Sequence, residues 1–458
     1  MEKLSTLCNR ITNSSSLAVG IVFFTLLTDC ILYGIIAPIL PDILKDLDQN
    51  VGKNKTTGTI LINESKVEVT LVNSSCSFAY FNTGKQDVII GFIIALKEIS
   101  QLFSNFIVGP VIDKIGYDIV MFNGYIVMMT STLAFAYWNT YPGVFIARAL
   151  QGIGSAMATT GGMTLIADMF RDDEERGRML SFILFGMTMG FAIGPALGGV
   201  LYQFGGKPAP FLVITAMGFI LLILQLCTRR MRRSDFKGTS NNSYKKLLMD
   251  PYLLLACSTI IFGQFTMASL ASVLPIWMKR TMCAEDWMLG AAFLPLNGGY
   301  MVIIAILGCL NFTKRRWILN FLSFFFAAIS SSTYPLCKSF YDLFGPGLIL
   351  GISGAMISTS AYQILGYLAD KRHGPSFYGS AYALADAAYC AVFAVGPMVS
   401  GALVPAVGFS VCMYILTGIS ILGILPSLFL RKPLSQEYKK DNESDRLIEQ
   451  KDEARSTE

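Results

Sequence analysis

The chain has 458 residues, of which 53% are apolar and only 15% charged. A soluble chain carries about 25% charged residues, so a soluble enzyme, a nucleic-acid-binding protein and a disordered chain are all excluded from the start. The net charge of +5 (36 Lys and Arg against 31 Asp and Glu) has meaning only through its placement, and the single histidine, His373, argues against His-rich metal sites and Ser/His/Asp catalysis. Ten cysteines without a CxxC pair argue against zinc and redox motifs. We therefore expect an all-α membrane protein with no catalytic residue, no metal and no cofactor.

Apolar stretches long enough to span a bilayer, about 20 residues each, fall at 18–40, 88–110, 120–138, 142–166, 178–202 and 210–228, then at 252–277, 288–310, 317–336, 344–366, 378–404 and 407–430. The first has no small-residue cleavage site and reads as an uncleaved span. With both termini in the cytosol, the short cytosolic loops hold sixteen Lys and Arg, among them Lys114, Arg176 and Arg316, against four on the other side (Lys207, Lys279, Arg280 and Lys338). That asymmetry fixes the orientation. It divides the chain into a cytosolic N-terminus (1–17), a six-helix half (18–228), a cytosolic linker (229–251), a second six-helix half (252–430) and a polar cytosolic tail (431–458).

The long loop 41–87 then lies in the lumen and carries three glycosylation acceptors, Asn54, Asn63 and Asn73. Two motifs recur about 200 residues apart. Gly152-Ile-Gly-Ser-Ala-Met returns as Gly351-Ile-Ser-Gly-Ala-Met, and Gly194-Pro195 with Gly198-Gly199 returns as Gly396-Pro397 with Ser400-Gly401. A duplicated six-helix unit with a substrate site at midplane is the architecture of many secondary transporters. The glycines are expected first as close helix contacts and second, beside Pro195, as a place where a helix bends.

Ionisable residues inside spans cost about 2.5–3.5 kcal/mol each even on a lenient scale. Asp29, Lys97, Glu98, Arg148 and Asp386 all sit there. The structural alternative is that they form buried pairs pinning helices together. The functional reading assigns Asp29 to a cationic amine or a proton, and Asp386 to proton relay or gating. Trp277, Phe293, Tyr300, Tyr389 and Phe393 are aromatic residues able to wall a cation site.

Gly109-Pro-Val-Ile-Asp113-Lys-Ile-Gly116 resembles the loop signature of the major facilitator superfamily, and Gly190-xxx-Gly194-Pro195-xx-Gly198-Gly199 resembles its antiporter signature. Leu274-Pro-Ile-Trp277-Met, Ala292-Phe293-Leu-Pro295, Asp172-Asp-Glu-Glu-Arg-Gly177, Arg148-Ala-Leu-Gln-Gly-Ile-Gly154 and Tyr378-Gly-Ser-Ala-Tyr-Ala383 with Asp386 resemble the vesicular monoamine and acetylcholine transporters. The resemblance implies a twelve-helix proton antiporter, driven by a proton gradient, that loads a small organic cation, most simply a monoamine, into secretory or synaptic-type vesicles. It implies that Asp29 contacts the amine, that Lys97, Arg148 and Asp386 form an intramembrane network, that Trp277, Phe293, Tyr300 and Tyr389 serve as cavity or gate aromatics, and that Cys76 and Cys283 form a luminal disulfide. Four positions depart from the family pattern: Ala271 and Ser358 stand where it has acids, Cys30 where it has Asn, and Phe393 where it has Tyr. Fewer acids imply fewer protons per cycle or an altered solute, with Glu98 as a partial substitute whose side chain leaves the helix about 100° from that of Lys97.

In the tail, Glu443-Ser-Asp-Arg-Leu447-Ile448 fits an acidic dileucine pattern. It points to clathrin adaptors as partners alongside the lipid bilayer, the solute and protons. A monomer and no nucleic acid are expected. The rival readings are an orphan transporter of a neutral or zwitterionic solute and a non-transporting sensor of the same fold.

Overall fold

The computed structural model describes residues 15–53, 84–229, 247–310 and 316–431. Asn54, Asn63, Asn73, Cys76, Glu443, Leu447 and Ile448 lie outside the described residues. Within them the regular structure is helical: α1 (Ser15–Lys53), α2 (Gly84–Ile115), α3 (Tyr117–Tyr137), α4 (Tyr141–Met169), α5 (Asp173–Gly205), α6 (Pro208–Arg229), α7 (Pro251–Thr281), α8 (Leu294–Cys309, after a short helix Asp286–Ala291), α9 (Arg316–Thr333), α10 (Phe344–His373), α11 (Tyr378–Val407) and α12 (Phe409–Leu422, resuming as Ile424–Phe429). Helices are the expected solution, because every backbone group in hydrocarbon must be satisfied within its own segment.

Eleven of the described helical segments are long and apolar enough to cross a membrane. The remaining one, α4, owes its lower apolarity to an interior surface of Gly, Ser and Thr with Arg148, all buried among its neighbours. α1 outruns the span expected to end at residue 40. Its 39 residues, at about 1.5 Å each, exceed a hydrocarbon core of about 30 Å. Helix starts follow local chemistry: Thr140 Oγ1 accepts from Gly143 N (3.3 Å) at α4, Asp172 Oδ2 from Glu175 N (2.9 Å) at α5 and Asp250 Oδ1 from Tyr252 N (3.0 Å) at α7.

α1 packs along α5 and α3 along α4 in the first half, while α7 packs along α11 and α8 and α9 along α10 in the second. The halves meet through α2 on α11 and α5 on α8. At the end bearing Lys114, Arg176 and Arg316 they are locked. Asp113 accepts from Ser380 N at 3.0 Å and from the Ser380 hydroxyl. Asp173 is bonded by Arg176 of its own helix (2.8 Å) and by Arg316 of the other half (2.9 Å). Arg176 Nη1 donates to Tyr378 Oη at 3.0 Å, and Gln363 Nε2 to Gly177 O at 3.0 Å. Close by, burial works against charge on Asp250, but Arg372 (2.7 Å), the Tyr252 amide and His373 (2.9 Å) hold its carboxyl below the usual carboxylate range.

The repeated motifs occupy equivalent places. A Cβ added at Gly152 would lie 2.3 Å from Lys97 O, where α4 meets α2, and one at Gly351 would lie 2.0 Å from Leu296 O, where α10 meets α8. Gly194 faces Ile31 and Gly34 on α1, and Gly396 faces Ala268 and Ser269 on α7. Each half therefore uses the same pair of backbone-close crossings, and packing accounts for these glycines. Gly152→Ala and Gly351→Ala should each cost about 1–3 kcal/mol and lower the thermal midpoint of the purified protein. Gly20→Ala, whose Cβ would meet nothing within 4 Å, should leave it in place; equal midpoints for all three would contradict this account of the crossings.

Candidate functional site

A cavity lies between the halves, walled by Asp29, Cys30 and Tyr33 of α1, Lys97, Glu98 and Gln101 of α2, Thr159 of α4, Phe191 of α5, Tyr362 of α10 and Asp386, Tyr389 and Phe393 of α11. It is tight, with a free volume of about 30 Å³, room for one or two waters and too little for an organic amine. The aromatic wall closes it: Phe191 and Phe393 stack across the halves at 6.4 Å, Tyr389 stacks on Phe393 at 4.5 Å, and Tyr33 meets Phe191 edge-on at 5.6 Å. Admitting a substrate requires these rings to part.

The charges in and beside this cavity fall into three groups. Lys97 Nζ lies 3.1 Å from Asp29 Oδ2 and 3.4 Å from Glu98 Oε1, with all three side chains buried. Its ammonium also stands 5.9 Å from the centre of the Tyr33 ring. Asp386 is bound by amides from the other half: Gln101 Nε2 (2.8 Å) and Asn105 Nδ2 (2.6 Å) both donate to its Oδ2. Thr160 Oγ1 in turn donates to Asn105 Oδ1 at 3.1 Å, which fixes that amide. Arg148 forms no ion pair among the described residues. It donates to Ile93 O (3.2 Å), Ile94 O (3.3 Å) and Gln151 Oε1 (2.9 Å), and so ties α4 to α2 one turn from Lys97.

Glu98 reaches the same cavity as Lys97 although adjacent helix positions diverge by about 100°. Both side chains are long and bend toward a shared point between α1 and α2, which the sequence spacing alone does not reveal. The position of Ser358 is filled by a neutral cluster instead of a carboxylate: Gln264 Nε2 (2.7 Å) and Tyr300 Oη (2.6 Å) both donate to Ser358 Oγ, deep in the second half. Ala271 is exposed.

Of the aromatics singled out in the sequence, Tyr389 and Phe393 line the cavity. Trp277, Phe293 and Tyr300 are not part of its lining. Trp277 stacks on Phe409 at 4.3 Å, Phe293 packs in the same cluster beyond the cavity, and Tyr300 is held on Ser358. Cys283 is disulfide-bonded, and Cys76, the partner expected for it, lies outside the described residues. Sequence reasoning passed over Tyr33, Gln101, Asn105, Phe191 and Tyr362. Gln101 and Asn105 could have been found, since they follow Lys97 by four and eight residues and so share its helix face. Tyr33 and Phe191 carry no comparable mark in an aromatic-rich chain.

Residues 22–380 match the profile of the family described as Major Facilitator Superfamily. The chain is 34% identical to the synaptic vesicular amine transporter of Bos taurus, over 93% of this chain and 90% of that one. It is 31% identical to the vesicular acetylcholine transporter of Torpedo torpedo, over 98% of this chain and 88% of that one. Among solved structures, the human organic anion transporter MFSD10 (TETRAN) aligns with a TM-score of 0.70 and 14% identity, covering 90% of this chain and 99% of that one. At that identity the likeness shows the fold alone.

Proposed function

Because the chain belongs to the vesicular monoamine and acetylcholine transporter family of the major facilitator superfamily, we propose that it loads an organic amine cation into acidic vesicles in exchange for luminal protons. The observation that carries this reading is the buried carboxylate of Asp29. Asp29 lines the cavity; one of its oxygens is engaged by Lys97 at 3.1 Å, and the other, Oδ1, has no hydrogen-bond partner among the described residues. An unpartnered acceptor in an apolar interior is expensive, and a substrate ammonium or a proton supplies what it lacks. Competition of the two for one oxygen is the coupling. Asp386 extends this to the other half, because a proton on Asp386 alters its bonds to Gln101 and Asn105 and so changes the face of α2 that carries Lys97.

In the exchange, an amine from the cytosol would meet Asp29 beneath the Phe191, Tyr389 and Phe393 rings, whose faces suit a cation. Release follows when luminal acidity protonates the carboxylates. The end locked by Asp113, Asp173, Arg176 and Arg316 would be the cytosolic gate, closed here, with both termini on that side. A monoamine is the simplest cargo. The charge of the lining favours a second reading within the same class: three carboxylates (Asp29, Glu98 and Asp386) face one ammonium (Lys97), and an amine with two positive charges balances that lining more fully than a monoamine. Cys76 is proposed as the partner of Cys283, and the acidic dileucine at Glu443, Leu447 and Ile448 as an adaptor-read address for vesicles.

Uptake into vesicles with an acid interior tests the reading, with labelled serotonin, dopamine, histamine, acetylcholine and polyamines compared with and without the pH gradient. Gradient-dependent uptake of at least one, abolished in Asp29→Asn, is expected. Folded protein that takes up none would refute amine antiport and direct attention to neutral or zwitterionic solutes. For the address, Leu447→Ala with Ile448→Ala should shift the protein from vesicles to the plasma membrane in cells, and an unchanged distribution would count against it.

A further inference from the structure

Lys97 has more acid than it needs. One carboxylate neutralises a buried ammonium, yet Asp29 and Glu98 lie 3.1 and 3.4 Å from Nζ, and Glu98 is only 4% exposed. A second buried carboxylate is costly and asks for a reason. Arg148 acts on Glu98 through its charge but makes no ion pair with it among the described residues, since its donors go to Ile93 O, Ile94 O and Gln151; the ion pair that Glu98 makes is with Lys97. Among the described residues Asp29 keeps Oδ1 without a partner, whereas its Oδ2 is committed to the lysine. For an entering cation to take the whole carboxylate, Lys97 must let go, and a buried lysine left with no acid at all would be strongly destabilised.

We propose that Glu98 is the exchange partner of Lys97: it holds the lysine while a substrate ammonium occupies Asp29. The inference rests on the amine reading above. Both acids lie within 4 Å of Nζ, so the transfer needs only a rotation of the end of the lysine side chain. With ionised acids the triad of Asp29, Lys97 and Glu98 carries one negative charge in excess, which Arg148 offsets only through space and not by an ion pair among the described residues. A bound ammonium completes two neutral pairs, Asp29 with substrate and Glu98 with Lys97; without substrate, one proton on either acid restores the same balance. Glu98 thereby supplies within α1 and α2 an acid that the second half lacks at Ala271 and Ser358. The other groups facing Glu98 are Cys30 and Tyr33 from α1, Arg148 from α4, and Asp386, Tyr389 and Cys390 from α11.

The test is equilibrium binding of labelled serotonin and spermidine to the purified full chain at one pH, in wild type, Glu98→Gln, Glu98→Asp and the double variant Lys97→Gln with Glu98→Gln. In Glu98→Gln the lysine has Asp29 alone and competes with the amine, so affinity should fall about tenfold or more, while Glu98→Asp should lie closer to wild type. In the double variant no lysine competes, and affinity should return to within about threefold of wild type. A double variant as weak as Glu98→Gln overturns the proposal, since it would make Glu98 a direct amine contact or a packing residue. Unchanged affinity in Glu98→Gln overturns it as well, as does Glu98→Asp binding no better than Glu98→Gln. Wild-type protein that binds neither amine removes the functional reading itself, and this inference with it, independently of the variants.

Discussion

The structure depends on keeping one ammonium charged inside a bilayer. Lys97 sits midway along α2, where an isolated charge costs several kcal/mol, and its neighbours answer that cost. Asp29 and Glu98 supply opposite charge, and the Tyr33 ring offers its face. Gly152 lets α4 come so close that no Cβ fits against Lys97 O. Arg148 then pins α4 to the carbonyls of Ile93 and Ile94 in the turn before the lysine. The helix packing and the charge cluster are thus one arrangement: the glycine crossing that holds α4 on α2 also fixes the backbone from which Lys97 extends.

The two halves use one scaffold for different ends. Their glycine crossings correspond, Gly152 with Gly351 and Gly194 with Gly396. In the first half the crossing of α4 on α2 stands beside charges; in the second the crossing of α10 on α8 stands beside the neutral cluster of Gln264, Tyr300 and Ser358. Asp386 is the exception in the second half, and the amides that hold it, Gln101 and Asn105, belong to the first. The chemistry therefore leans toward α1 and α2, and the second half contributes one acid and the aromatic face of Tyr389 and Phe393.

Much of this was legible in the sequence. Spans of suitable length, the offset motifs and the intramembrane charges each follow from rules that act locally: a bilayer sets helix length, close crossings need glycine, and buried charges are rare enough to notice. Partnership was less legible. That Asp386 would be held by amides on α2, and Arg148 by carbonyls, depends on contacts between residues far apart in the chain, and no local rule orders them. The end of the Glu98 side chain was not legible, because helix geometry places the Cβ and not the tip of a long side chain. Trp277, Phe293 and Tyr300 could not be told from Tyr389 and Phe393 by type, since an aromatic residue serves packing and cation binding with the same ring.

The central claim is that amine and proton occupy the same carboxylates in turn. It is tested most directly by adding saturating amine, chosen from uptake, to the purified protein in weakly buffered detergent solution and following the pH with an indicator dye. The account predicts release of protons on binding at the acidic pH of a vesicle lumen, and loss of that release in Asp29→Asn. Saturable amine binding with no proton released at any pH between lumen and cytosol would contradict it.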